Sequence, residues 1–229
     1  EQGQPHVTRV ARVASGASSA VVLHSLDRLP DRGDRRTLYS CDITPRCYFN
    51  RAYVTGDAAR ALYPNPRARW VLDTGMDGRR LATQLPAGSV DLTFIDANHS
   101  HPWPLIDVLH VSAVAKPHSW IVLHDVELPI QHPEYQVFGP RWLFQAWPFA
   151  KVKGLGRWTS IGAVQLPARR SELAPLALAL LDRPWEGAVG PDRVGLPPGL
   201  ESVEEALRRQ LTATAAPVVP ALAPAAGGR

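Results

Sequence analysis

Two apolar runs that each stop at a cluster of ionisable residues dominate the hydrophobic pattern of this chain. Residues 90–95 (VDLTFI) lead into Asp96 and His99, and residues 120–123 (WIVL) lead into His124 and Asp125. Continuous apolar runs of this length, bounded by polar residues, read as buried strands. The segment between them is long enough for a helical crossover, which predicts two parallel neighbouring strands. In an open parallel sheet, ligands bind outside the carboxyl ends of the strands. Four ionisable side chains are therefore expected to meet where such a fold does its chemistry.

The same alternation runs through the first two-thirds of the chain. Residues 8–13 are a short β-branched run, and residues 14–17 (ASGA) form a small-residue turn into a helical stretch at 18–26. Residues 37–41 predict a second strand ending at Asp42, 56–62 a short helix, and 69–72 a third strand followed by a helix to about Leu85. After Pro129 the pattern changes. Residues 130–150 carry Trp142, Phe144, Trp147 and Phe149 among prolines, and 151–153 with 160–166 predict a closing β-hairpin. Residues 171–181 predict an amphipathic helix. The order βαβα predicts an α/β fold: a doubly wound, mostly parallel seven-stranded sheet with an antiparallel edge. One α/β domain over residues 1–185 is expected, then a Gly/Pro-rich linker and a short helix over 186–211, then a disordered Ala/Pro tail over 212–229.

Composition narrows the function classes. A hydrophobic content of 45% and a charged content of 20% are those of a soluble globular protein. The net charge of +4 comes from scattered arginines without a basic stripe, so no nucleic-acid partner is expected. No apolar run approaches the ~20 residues that span a bilayer, so no membrane partner is expected either. Without a signal-peptide pattern, Cys41 and Cys47 are expected as free thiols in the cytoplasm. The chain opens at Glu1 without a methionine, and a piece of a longer protein is one expectation. A homo-oligomer is left open.

The candidate chemistry gathers at the strand ends. The turn at Gly16, with Ser18 at a helix start, presents free N–H groups and a positive helix end. It reads either as a nucleotide-type cofactor site or as an ordinary strand–helix turn capped by Ser18 or Ser19. Asp42 stands where an acid would accept hydrogen bonds from a ribose diol, or begins an Asx turn. Three readings cover the Asp96/His99/His124/Asp125 cluster. Asp96 and Asp125 could hold magnesium, with His99 as a general base. His99, His101 and His124 could favour zinc or iron. The acids could simply cap the following helices.

These motifs resemble those of class I S-adenosylmethionine-dependent methyltransferases, above all small-molecule and sugar O-methyltransferases. The matching pieces are VASGASSAVVLHSL at 13–26, LYSCDI at 38–43, DLTFIDANHSH at 91–101, KPHSWIVLHDV at 116–126 and FGPRWLFQAWP at 138–148. The resemblance implies a Rossmann-like methyltransferase fold and S-adenosylmethionine bound near Gly16, Ser18, Asp42, Met76, Asp77 and Asp96. It implies magnesium on Asp96 and Asp125, with His124 beside them, and His99 as the base. Val10 and Arg12 stand where the family has an acid and a first glycine, and His124 stands in place of a glutamate.

The expected function is therefore methyl transfer from S-adenosylmethionine to a hydroxyl of a small molecule, a sugar or glycosylated metabolite, with magnesium as a candidate second cofactor. The alternatives are a non-catalytic methyltransferase-like module of a larger biosynthetic protein, and a metal-dependent hydroxylase or hydrolase built on the His/Asp cluster.

Overall fold

The computed structural model describes residues 7–30, 33, 35–47, 50–156, 159–186 and 208–209. The strands are β1 (Arg9–Val13), β2 (Thr37–Asp42), β3 (Arg69–Thr74), β4 (Val90–Ile95), β5 (Ala115–Leu123), β6 (Lys151–Lys153) and β7 (Gly162–Gln165). They form one seven-stranded sheet in the order β3-β2-β1-β4-β5-β7-β6. The first five strands run parallel, whereas β7 is antiparallel to β5 and β6 antiparallel to β7. The switch in strand order falls between β1 and β4. This opens a crevice at their carboxyl ends, above Val13 and Ile95.

The helices are α1 (Ser18–Arg28), α2 (Asp57–Leu62), α3 (Gly78–Gln84), α4 (Trp103–Val111), α5 (Leu128–Gln131), α6 (Gly139–Ala146) and α7 (Ala174–Leu181). The larger core lies between the sheet and α3, α4, α6 and α7; a smaller one, around Leu23, Leu26 and Leu38, lies under α1. Apolar residues surround α4 on nearly every side, as befits a helix buried at the centre of a layer. Among the described residues, no helix is long and apolar enough to cross a membrane. Cys41 is buried, Cys47 is half-buried, and both are free.

Several boundaries differ from those expected. The fifth strand begins at Ala115 rather than Trp120, because residues 116–118 form its irregular start. The register shifts opposite Val90 and Leu92, and such an irregularity accommodates Pro117, which has no N–H to give to the ladder. The helix expected over 171–181 splits into a 3-10 turn (Arg170–Leu173) and α7. Pro175 is tolerated in a first turn, where its N–H is not required, so the α-helix starts just before it. The helix α6 was not foreseen: Pro140 lies in its first turn and Leu143 carries its buried face. Most of the 186–211 segment and all of the 212–229 tail lie outside the described residues.

Candidate active site at the strand carboxyl ends

The strand ladder places the cluster. β1 is hydrogen-bonded to β4 and β4 to β5, so their last residues finish side by side. The Asp96 N–H donates to Val13 O and the His124 N–H to Ile95 O, continuing the ladder one residue past each strand. Asp125 then takes a left-handed conformation, with φ at 61°. Aspartate tolerates this region better than most residues, and such strain concentrates at functional sites. The result is a compact group. His124 Nδ1 lies 3.1 Å from Asp96 Oδ1 and 3.2 Å from Asp125 Oδ2, between the two carboxylates. His99 Nε2 lies 3.4 Å from Asp125 Oδ2 and 3.9 Å from Asp96 Oδ1.

Arg12 completes the group from β1. Its side chain is 1% exposed. The guanidinium donates from Nη2 to Asp96 Oδ2 at 3.1 Å and from Nε to Ala14 O at 2.6 Å, and it lies 4.9 Å above the Phe94 ring. The Ser18 hydroxyl donates to the same Asp96 oxygen at 3.4 Å. Arg12 Nη1 and His99 Nε2 are buried without a hydrogen-bond partner, whereas His124 Nδ1 is held between the two carboxylates. Buried polar atoms are nearly always satisfied, so two unsatisfied ones in one crevice mark a place built for something besides packing.

The two imidazoles are pushed apart in proton affinity. Contact with the Asp125 carboxylate, and then with Asp96, raises His124 to about 10. Burial drives His99 the other way, below its ordinary value, and outweighs the attraction of Asp125 and Asp96. Burial also works against ionised Asp125, but the His124 contact overcomes it and holds this carboxyl below the usual range. A neutral His99 beside a cationic His124 gives one proton acceptor and one fixed charge. Divergent neighbours of this kind are how acid and base roles are set apart.

The other expected residues lie along the β1–β3 edge of the crevice. Asp42 Oδ2 accepts the Ser15 N–H at 2.8 Å, and Oδ1 accepts the Thr44 N–H and hydroxyl, so this carboxylate ties the first two strand-end loops together. The N-cap of α1 is Ala17 and carries no side-chain cap, so Ser18 serves Asp96 rather than capping the helix. An ideal Cβ on Gly16 would meet nothing within 4 Å, so the loop faces open space. Ile43, Met76 and Asp77 line an open cavity of about 390 Å³ with Gly75, Arg79, Arg80 and Thr83. Asp77 also caps α3 through the Arg79 N–H. His101 is not part of the cluster: its Nε2 lies 2.9 Å from Leu180 O and its ring packs on Trp142. The reading that joined His101 to a zinc or iron site therefore does not stand.

A parallel sheet with a crevice beside β1 is shared by many nucleotide-dependent folds, and sequence decides among them. The family described as Methyltransferase domain matches residues 13–126, about half of the chain, from the last residue of β1 to just past Asp125. This chain belongs to the class I S-adenosylmethionine-dependent methyltransferase family. Solved structures similar to this methyltransferase include two named O-methyltransferases. One is the O-methyltransferase from Bacillus cereus in complex with SAH. It is 18% identical, covers 69% of this chain and 73% of that one, and has a TM-score of 0.43. The other is the O-methyltransferase TomG from Streptomyces achromogenes, involved in tomaymycin synthesis and in complex with SAM. It is 15% identical, with the same shares of 69% and 73%, and has a TM-score of 0.43. No curated protein matches the sequence.

The open loop at Gly16, the tethered Asp42 and the cavity between Ile43 and Met76 fit the elongated methyl donor of such a methyltransferase. Magnesium fits less well. It demands near-octahedral oxygen ligation, whereas Asp96 is engaged by Arg12 and Ser18 at one oxygen and faces His124 at the other. Asp96, His99 and His124 bring ligand-capable atoms within 4.8 Å of one another. However, two of the three are imidazoles, and a guanidinium adjoins the third.

Sequence reasoning missed two residues of this neighbourhood. Arg12 registered only as a departure from a glycine pattern. Glu186 was placed at the start of a linker, yet its carboxylate accepts from the His101 and Phe138 N–H groups and so packs against the loop that carries His99.

Proposed function

We propose that this methyltransferase transfers a methyl group from S-adenosylmethionine to the oxygen of a small-molecule hydroxyl, with a sugar or glycosylated metabolite as the acceptor class. The observation that carries oxygen methylation is His99: a half-buried imidazole, held neutral, whose Nε2 has no hydrogen-bond partner at the carboxyl end of the β4–β5 edge. The sugar acceptor follows the resemblance of the Asp-x-x-His and His-Asp motifs to those of sugar O-methyltransferases. When bound, S-adenosylmethionine supplies an electrophilic methyl carbon on a sulfonium that departs as a neutral thioether. Gly16, Ser18 and Asp42 would hold its amino-acid and ribose portions, and Ile43, Met76 and Asp77 would take its base in the cavity they line. His99 Nε2 would accept the proton of the acceptor hydroxyl as its oxygen takes up the methyl group. The imidazolium so formed is flanked by the Asp125 and Asp96 carboxylates. Alignment of the two reactants supplies most of the acceleration, and proton acceptance adds roughly 10²–10⁴-fold.

Calorimetric titration of the purified chain with S-adenosylhomocysteine tests the reading. Micromolar binding, about −8 kcal/mol, is the expected result. Absence of binding by folded protein would overturn it. Such a result would favour the non-catalytic module, for which the buried Arg12 at the family's glycine position is the relevant observation.

A further inference from the structure

We infer that Arg12 is the resident cation of this active site: its guanidinium takes the place beside Asp96 that a divalent ion would otherwise hold, and the enzyme works without a metal. The consequence for catalysis rests on the proposed reading of this crevice as the reaction site. The geometry itself stands on the side chains.

Arg12 occupies the middle of the sheet, in the strand between β2 and β4, where an apolar residue is the ordinary choice. Burying a guanidinium there is unfavourable unless its charge is matched and its donors are used. Both conditions are met on the Asp96 side: Nη2 meets Asp96 Oδ2, Nε meets Ala14 O, and Phe94 covers one face of the plane. Because arginine does not give up its proton in proteins, this positive charge is permanent. A divalent ion at Asp96 would have to displace Arg12 or Ser18 from Oδ2, or His124 from Oδ1, and would then sit against a fixed cation. The functions a metal would bring are already in place. Asp96 is neutralised, its orientation is set, and Arg12 Nη1 remains buried with no hydrogen-bond partner. Arg12 thus both occupies the position beside Asp96 and supplies the charge there.

The test is Mn²⁺ binding to the full chain, followed by the paramagnetic signal of the free ion, in parallel with calorimetry of S-adenosylhomocysteine in EDTA and in Mg²⁺. Wild type should leave the free Mn²⁺ signal intact and bind S-adenosylhomocysteine equally in both buffers. Arg12→Gly should gain a Mn²⁺ site that Asp96→Asn removes again. If Arg12→Gly does not fold, Arg12→Ala, which removes both the bulk and the charge, gives the same comparison. Mn²⁺ binding by wild type that is lost in Asp96→Asn would overturn the inference. So would the failure of both folded Arg12 variants to gain a Mn²⁺ site, because Arg12 would then not be what fills that position. Loss of S-adenosylhomocysteine binding alone would strike the proposed methyl transfer and leave the Mn²⁺ result to decide the role of Arg12.

Discussion

The Glu186 carboxylate accepts the His101 N–H at 2.6 Å, and the Glu186 N–H returns to His101 O at 2.9 Å. The same carboxylate accepts the Phe138 N–H, so one side chain clasps the loop after β4 to the start of α6. His99 lies two residues before this clasp. Hydrogen bonds to an ionised group contribute about 1.5–3 kcal/mol. Glu186→Ala should therefore cost about 2 kcal/mol in urea denaturation. It should also lower kcat more than it weakens S-adenosylhomocysteine, because the donor end of the crevice is built from other loops. Equal losses in both quantities would mean that Glu186 stabilises the fold without positioning His99.

His99 and Asp42 should separate chemistry from donor binding. His99→Ala is expected to abolish turnover, by roughly the 10²–10⁴-fold attributed to a general base, with S-adenosylhomocysteine affinity nearly unchanged. Asp42→Ala is expected to weaken the donor first, because it releases both the Ser15 N–H and the Thr44 turn. Steady-state kinetics with calorimetry of each variant checks the pair. Methylation that survives both changes would refute the site.

How much of this was readable in the sequence follows from where the information lies. Val90–Ile95 and the end of β5 are apolar runs whose burial is local, so their strands and the polar residues beyond them were legible. The approach of Asp96 to Asp125 followed from parallel neighbours in one sheet. The direction of His101 was not legible, because it is decided by Leu180 O on α7, far along the chain. Glu186 was hidden for the same reason: its partners are 85 and 48 residues away. Helix α6 was obscured by prolines and aromatics that suit several local structures, and tertiary packing on α4 decides among them. Arg12 was visible as an anomaly, but its meaning required the Asp96 oxygen beside it.

Gly139 offers a second handle on the same loop. A Cβ there would lie 2.6 Å from His99 O, 2.9 Å from Pro104 Cδ and 3.0 Å from His101 N. All three belong to backbone or a proline ring, which cannot swing aside as a flexible side chain would. Overpacking of this kind costs about 1–3 kcal/mol. Gly139→Ala should lower the urea midpoint and reduce kcat, while leaving S-adenosylhomocysteine affinity close to wild type. A variant with wild-type kcat would show that the His99 backbone can move without consequence.

Asp107, on α4 behind the Asp77–Gly78 corner, sets a pH dependence of stability. Burial, reinforced by the charge of Asp77, pushes its carboxyl from the ordinary 3.8 up to about 7. The folded protein therefore binds a proton that the unfolded chain has already released between these two values. Stability from this group falls as pH rises through that window, by at most about 1.4 kcal/mol for each pH step of one, and is flat above it. Asp107→Asn keeps the shape of the protonated group and removes the titration. It should be more stable than wild type at about pH 8, by an amount that shrinks toward zero near pH 4. Urea denaturation of both proteins across that range checks the sign. A variant that is less stable than wild type at alkaline pH would mean that the Asp107 carboxylate is held by favourable contacts rather than penalised by burial.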